Sequence, residues 1–170
     1  MKSLLHKFLK YFFNLFGLRL VQNYKNKEIY NVERVIDVGV GLGTEELLNK
    51  YPNSYFVYIE PHPYFQDYIE KNLLKKTQEK EKGVLLKFGA GENEGEFYLR
   101  DNYLDSSLLN KHETINTKTI KVKIRKIDDL LDEINFFKSS VNTILKIDTE
   151  GYELSVLKGA TKLLKSSCVK

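Results

Sequence analysis

Apolar residues recur along this chain with two alternating periods. "RVIDVG" (34–39) is a short β-branched run closed by glycine, the mark of a strand buried on both faces. "TEELLNKYP" (44–52) changes to helical spacing: Thr44 suits the N-cap, Glu45 and Glu46 the first turn, and Pro52 follows the end. "SYFVYIE" (54–60) predicts a second strand. The run 63–82 predicts a second helix, with Phe65, Ile69 and Leu73 on one face. "GVLLKFGA" (83–90) predicts a third strand.

The period then shifts to two. "GEFYLR" (95–100) and "TIKVKIRKI" (119–127) alternate as strands around a loop-like stretch, either an inserted hairpin or additions to the sheet. "IDDLLDEINFF" (127–137) predicts a helix with Asp128 or Asp129 near its start. "VNTILKID" (141–148) is a fourth core strand, and 151–167 reads as one last helix. There is no internal repeat, and the charge run 75–82 reads as a solvated helix end. Strand–helix alternation with continuously apolar strands predicts an α/β fold, a doubly wound, mostly parallel sheet. Such sheets bind ligands beyond the carboxyl ends of their strands.

The first twenty residues need separate treatment. Leu5, Phe8, Leu9, Phe12, Phe13 and Phe16 recur at helical spacing, with lysines on other faces. An unbroken apolar centre and a small-residue cleavage site are missing, so the stretch is not a signal peptide. A helix docked on the domain is the preferred reading. A helix lying on an anionic membrane is the sharper alternative. The chain thus divides into a leading helix and connector (1–30) and one domain (31–170).

Composition narrows the class. Charged residues are 29% and hydrophobic ones 42%, which excludes a disordered chain. The net charge of +4 is spread over scattered lysines and gives no nucleic-acid footprint. A single cysteine, Cys168, excludes a disulfide framework and a zinc cluster, and suits a reducing, cytoplasmic setting.

The chemistry sits after the strands. "DVGVGLGT" supplies Asp37, Gly39, Gly41 and Gly43, glycines that let the backbone turn sharply and approach a ligand. The spacing is not the G-x-G-x-x-G of a pyrophosphate clamp, which disfavours a nicotinamide dehydrogenase. Glu60 ends the second strand, where a carboxylate can accept from a ribose diol. Gly89 and Ala90 are short enough to admit a flat base. Asp148, Glu150 and Glu153 crowd the end of the fourth strand. Glu150 and Glu153 would share a face if the helix has begun there, and both would also favour its positive end. Lys146 shares strand parity with Asp148 and reads as a carboxylate's partner. His62 and His112 are weaker candidate bases, His6 reads as structural, and Ser106 and Ser107 read as a solvated loop. The carboxylates do not separate into a metal site.

"VIDVGVGLGTEELLNKYPNSYFVYIEPHPYF", then "IDDLLDE" and "LKIDTEGYELSVLKGATKLL", closely resemble the FkbM-type methyltransferase family. The resemblance runs from about residue 34 to about residue 165. It implies a class I, Rossmann-like methyltransferase fold using S-adenosylmethionine, with transfer to hydroxyls of sugars or polyketide-type products. Carried over by position, Asp37, Gly39, Gly41 and Gly43 would form the donor loop. Asp37 would either order that loop or face the donor's ammonium end. Glu60 would hold the ribose, and Ala90 would lie by the adenine. Asp148, Glu150 and Glu153 would border the place where donor and acceptor meet. Asp148 is the first candidate for the general base, for orienting the acceptor, or for facing the sulfonium. The family fold adds further strands after the last helix, so the chain would be a domain lacking its C-terminal strands. A non-catalytic donor-binding or interaction module is the alternative reading.

Overall fold

The computed structural model describes residues 31–74, 83–100, 119–136 and 141–166. The expectations for the leading helix, including His6, lie outside the described residues. So do those for 75–82, Ser106, Ser107, His112 and Cys168.

The main sheet has four parallel strands, β1 (Arg34–Val38), β2 (Tyr55–Ile59), β3 (Gly83–Leu86) and β7 (Thr143–Ile147), in the order β3-β2-β1-β7. This bears out the doubly wound α/β expectation. β1 and β2 are central and almost wholly apolar, because both of their faces are covered. Val35, Phe56 and Tyr58 pack on one face against Ile69 and Leu73, with Leu47 and Leu48 beside them. Ile36, Val38, Val57 and Ile59 alternate to the opposite face and are equally buried.

Helix α1 (Glu45–Lys50) joins β1 to β2, and helix α2 (Pro63–Tyr68) follows β2 and continues as a π-helical stretch, Ile69–Leu74. Proline at the start of α2 suits its first turn, where an N–H has no partner anyway.

Three sequence expectations need correction. First, 83–90 is not one strand. β3 stops at Leu86, and Gly89–Ala90 forms β4 in a second sheet. That sheet has the order β4-β6-β5, with β5 (Gly95–Arg100) antiparallel to β6 (Thr119–Arg125). The inserted-hairpin option therefore describes β5 and β6. Second, the helix after residue 126 is shorter than 127–137: α3 spans Ile127–Glu133. Third, the last helix is two, α4 (Glu153–Lys158) and α5 (Thr161–Lys165). A tertiary contact fixes the residue at the break, Gly159. A Cβ there would stand 2.2 Å from the Gly91 carbonyl oxygen, so the backbones meet where only glycine fits. Asp128, on α3, then caps α5 across space, accepting from Lys162 N at 2.7 Å and Leu163 N at 2.9 Å.

Candidate functional site

A cavity of about 390 Å³ opens beyond the carboxyl ends of β1, β2, β4 and β7. The glycine turn forms one wall. Gly39, Gly41 and Gly43 all take positive φ (71°, 55° and 97°), the left-handed region that glycine enters without penalty. Gly39 also abuts the loop after β7, since a Cβ there would lie 2.0 Å from the Asp148 carbonyl oxygen. At Gly41 a Cβ would meet nothing within 4 Å, because this face of the turn looks into open space.

Glu60 holds the turn from the next strand end. It is 4% exposed, and its Oε2 accepts from Gly41 N at 3.0 Å while its Oε1 accepts from His62 N at 2.8 Å. Burial pushes its pKa up, and these backbone hydrogen bonds partly oppose the rise. A carboxylate offers about four lone-pair sites, so two remain for donors from a ligand. Gly89 and Ala90 line the cavity beside Leu99 and Ile124, an apolar slot suited to a flat ring.

Asp37 stands apart from these groups. It is 1% exposed, lies beneath the turn and does not line the cavity. Its Oδ2 accepts from the Thr44 hydroxyl at 3.0 Å. Its Oδ1 lies 2.8 Å from Lys146 Nζ, an ion-pair distance off the angle of a hydrogen bond. Burial raises its pKa, and the Lys146 charge pulls the other way. Of the two roles expected from sequence, this placement fits ordering the turn. Thr44 correspondingly spends its hydroxyl on Asp37 and makes no side-chain cap to α1.

The three acidic residues after β7 separate. Asp148 lines the cavity with its side chain 66% exposed, and its amide donates to Val38 O at 3.0 Å. Glu150 also lines the cavity, from a left-handed backbone (φ 49°) that costs a non-glycine residue energy. Glu153 does not line it. Its Oε1 accepts from Thr149 N at 3.1 Å, Gly151 N at 3.0 Å and the Thr149 hydroxyl. Burial pushes the Glu153 pKa up, but these hydrogen bonds prevail and hold it below the usual range. The shared helix face expected for Glu150 and Glu153 does not form, because α4 starts only at Glu153. Glu153 instead orders the loop and the helix start.

Sequence reasoning missed Leu99 and Ile124, which line the cavity from a distant hairpin, and Tyr152 and Phe65, which line it near Glu150 and Glu60. His62 lines it too, but its Nδ1 accepts from Tyr64 N at 3.2 Å, so it caps α2 as the Nε2–H tautomer. Among the described residues no group of three or more His, Cys, Asp and Glu could hold a metal ion.

A parallel sheet, a glycine turn and a carboxylate at the next strand end define a Rossmann-like α/β domain with its cleft at the strand ends. The family model for the methyltransferase FkbM domain matches residues 37–169. The chain belongs to the FkbM methyltransferase domain family. Its fold is similar to that of Methyltransferase FkbM from Methylobacillus flagellatus KT, solved at 2.20 Å resolution, with 21% identity and a TM-score of 0.55. The match covers 84% of this chain and 32% of that one, so this chain spans about a third of the solved protein. No curated protein matches the chain.

Proposed function

We propose that this domain binds S-adenosylmethionine for O-methylation of a hydroxyl on a sugar, a glycan or a small secondary metabolite. The carrying observation is the Glu60 carboxylate. It is buried, braced by Gly41 N and His62 N, and set at the edge of a cavity walled by glycine backbone. Glu60 would accept from the ribose diol, the Gly89–Ala90 slot would take the adenine, and the open face of Gly41 would admit the methionine part. The donor supplies a methyl on a positively charged sulfur, and the cavity's charged lining residues, Glu60, Asp148 and Glu150, are all carboxylates.

Alignment of the acceptor oxygen supplies much of the rate in such a transfer. Asp148 would take the hydroxyl proton, a role supported by its exposed side chain in the cavity lining beside the glycine turn. Glu150 stands next to it as an acceptor contact. No helix among the described residues is long and apolar enough to cross a membrane. We place the reaction in the cytoplasm, in keeping with the lone cysteine.

Calorimetric titration with S-adenosylmethionine, followed by labelled methyl transfer to a panel of sugars and hydroxylated metabolites, tests the reading. Saturable binding with transfer to a hydroxyl is expected. Binding without transfer would leave a donor-binding module, and no binding at all would sink both.

A further inference from the structure

Lys146 has no place in the cavity lining, yet its ammonium sits where the two functional loops converge. Register explains how. Asp37 on β1 stands beside Lys146 on β7 and Tyr58 on β2, so these side chains share one face of the sheet. Lys146 Nζ donates to the Gly39 carbonyl at 2.9 Å, lies 2.8 Å from Asp37 Oδ1, and reaches Asp148 Oδ2 at 3.8 Å. Asp37 in turn holds the Thr44 hydroxyl. Gly39 opens the turn and Thr44 follows its last glycine, so the Asp37–Lys146 pair grips both ends. A turn with three glycines gives up much backbone entropy on ordering, and ties at its ends decide how well it holds its shape.

We propose that Lys146 is a positioning residue: with Asp37 it clamps both ends of the Gly39–Gly43 turn and ties that turn to Asp148, without touching the donor. The proposal rests on the donor-binding reading for its consequence, but not for the clamp itself. Asp37 needs the cation for a second reason. A buried carboxylate stripped of its only positive partner among the described residues is left uncompensated. The other groups facing it are the Thr44 hydroxyl, the Tyr58 phenol and the like-charged Asp148.

The test uses Lys146→Met, the double variant Lys146→Met with Asp37→Asn, and Thr44→Val. Amide hydrogen exchange in the ligand-free protein reads the turn, with β2 as the control for global folding. In Lys146→Met the Gly41 and Gly43 amides should exchange about tenfold faster or more, the scale of one lost charge-assisted hydrogen bond, while β2 stays protected. Donor affinity should fall by about the same factor. That deficit relative to the wild type should shrink as pH falls and Asp37 takes a proton. The double variant should abolish this pH dependence of the deficit, which a general loss of stability would not do. If Lys146→Met fails to fold, Thr44→Val carries the test, and faster exchange at Gly43 over a protected β2 is expected.

Unchanged turn exchange in a folded Lys146→Met, or in Thr44→Val, overturns the clamp. So does an affinity deficit that is flat with pH. A wild-type chain that binds no donor, with a turn that still loosens on Lys146→Met, sinks the donor reading and leaves the clamp standing.

Discussion

The loop after β1 and the loop after β7 leave neighbouring parallel strands in matched register, Val38 beside Ile147. Both bend through left-handed backbone, but they do so differently. The first uses glycine at each such position, and the carboxylate facing it, Glu60, is buried with each oxygen accepting one backbone N–H. The second places Glu150 at φ 49° and leaves Asp148 largely exposed. A buried, braced carboxylate is a preset binding group. An exposed one beside strained backbone is free to meet a changing partner. Under the proposed function, the first loop would recognise one constant ligand and the second would serve the reacting, variable side.

The comparison can be broken most severely where the loops touch. Gly39→Val should abolish donor binding and lower stability by about 2–4 kcal/mol, because its side chain would overlap the Asp148 carbonyl at a positive φ. Thermal melts and calorimetry read both effects, and a stable, donor-binding variant would refute the close contact.

Asp148→Asn should come next. Transfer should drop about 100-fold or more, the usual scale of a lost general base, with donor affinity within about threefold. An equal loss of affinity would move Asp148 to the binding side.

Glu60→Gln should invert that pattern, weakening donor binding about 10- to 100-fold, as expected for charge-assisted hydrogen bonds. Wild-type affinity should also fall with decreasing pH from a midpoint above the ordinary value of 4.5, since burial raises the Glu60 pKa. The sign for stability is opposite. With its folded pKa raised, Glu60 favours the fold fully below its unfolded pKa, and this contribution is lost as pH rises through the folded one. An affinity flat down to the ordinary carboxylate range would argue against Glu60 as a ligand.

The smallest effect is expected at Glu150→Gly. Relief of left-handed strain (~1–2 kcal/mol) slightly exceeds the entropy that glycine adds to the unfolded chain (~0.4–1 kcal/mol). The melting temperature should rise by a few degrees or stay level. A clear drop would show that the Glu150 side chain is tied down after all.

What could be read in advance was local. β1 and β2 were legible because strands covered on both faces must be continuously apolar, and β7 from its short β-branched run even though it is an edge strand only half-buried after Thr143. The glycine turn and Glu60 were legible because positive φ and a strand-end carboxylate leave their own mark on composition. The split of 83–90 was hidden, since its two halves carry the same apolar pattern and differ only in which sheet pairs with them. The break at Gly159 was hidden too. Glycine is required there by the Gly91 carbonyl, far away in the chain.

The carboxylates draw the same line. Sequence alone determined that Asp37, Glu60, Asp148, Glu150 and Glu153 would gather at the strand ends, because strand period and spacing are properties of the local chain. Only the tertiary structure decided their separate positions. Asp37 lies under the turn against Lys146, Glu60 at the cavity edge, Asp148 and Glu150 at the mouth, and Glu153 back on its own loop. Burial and hydrogen-bond partners settle what a carboxylate can do, and both come from residues that are remote in sequence and near in space.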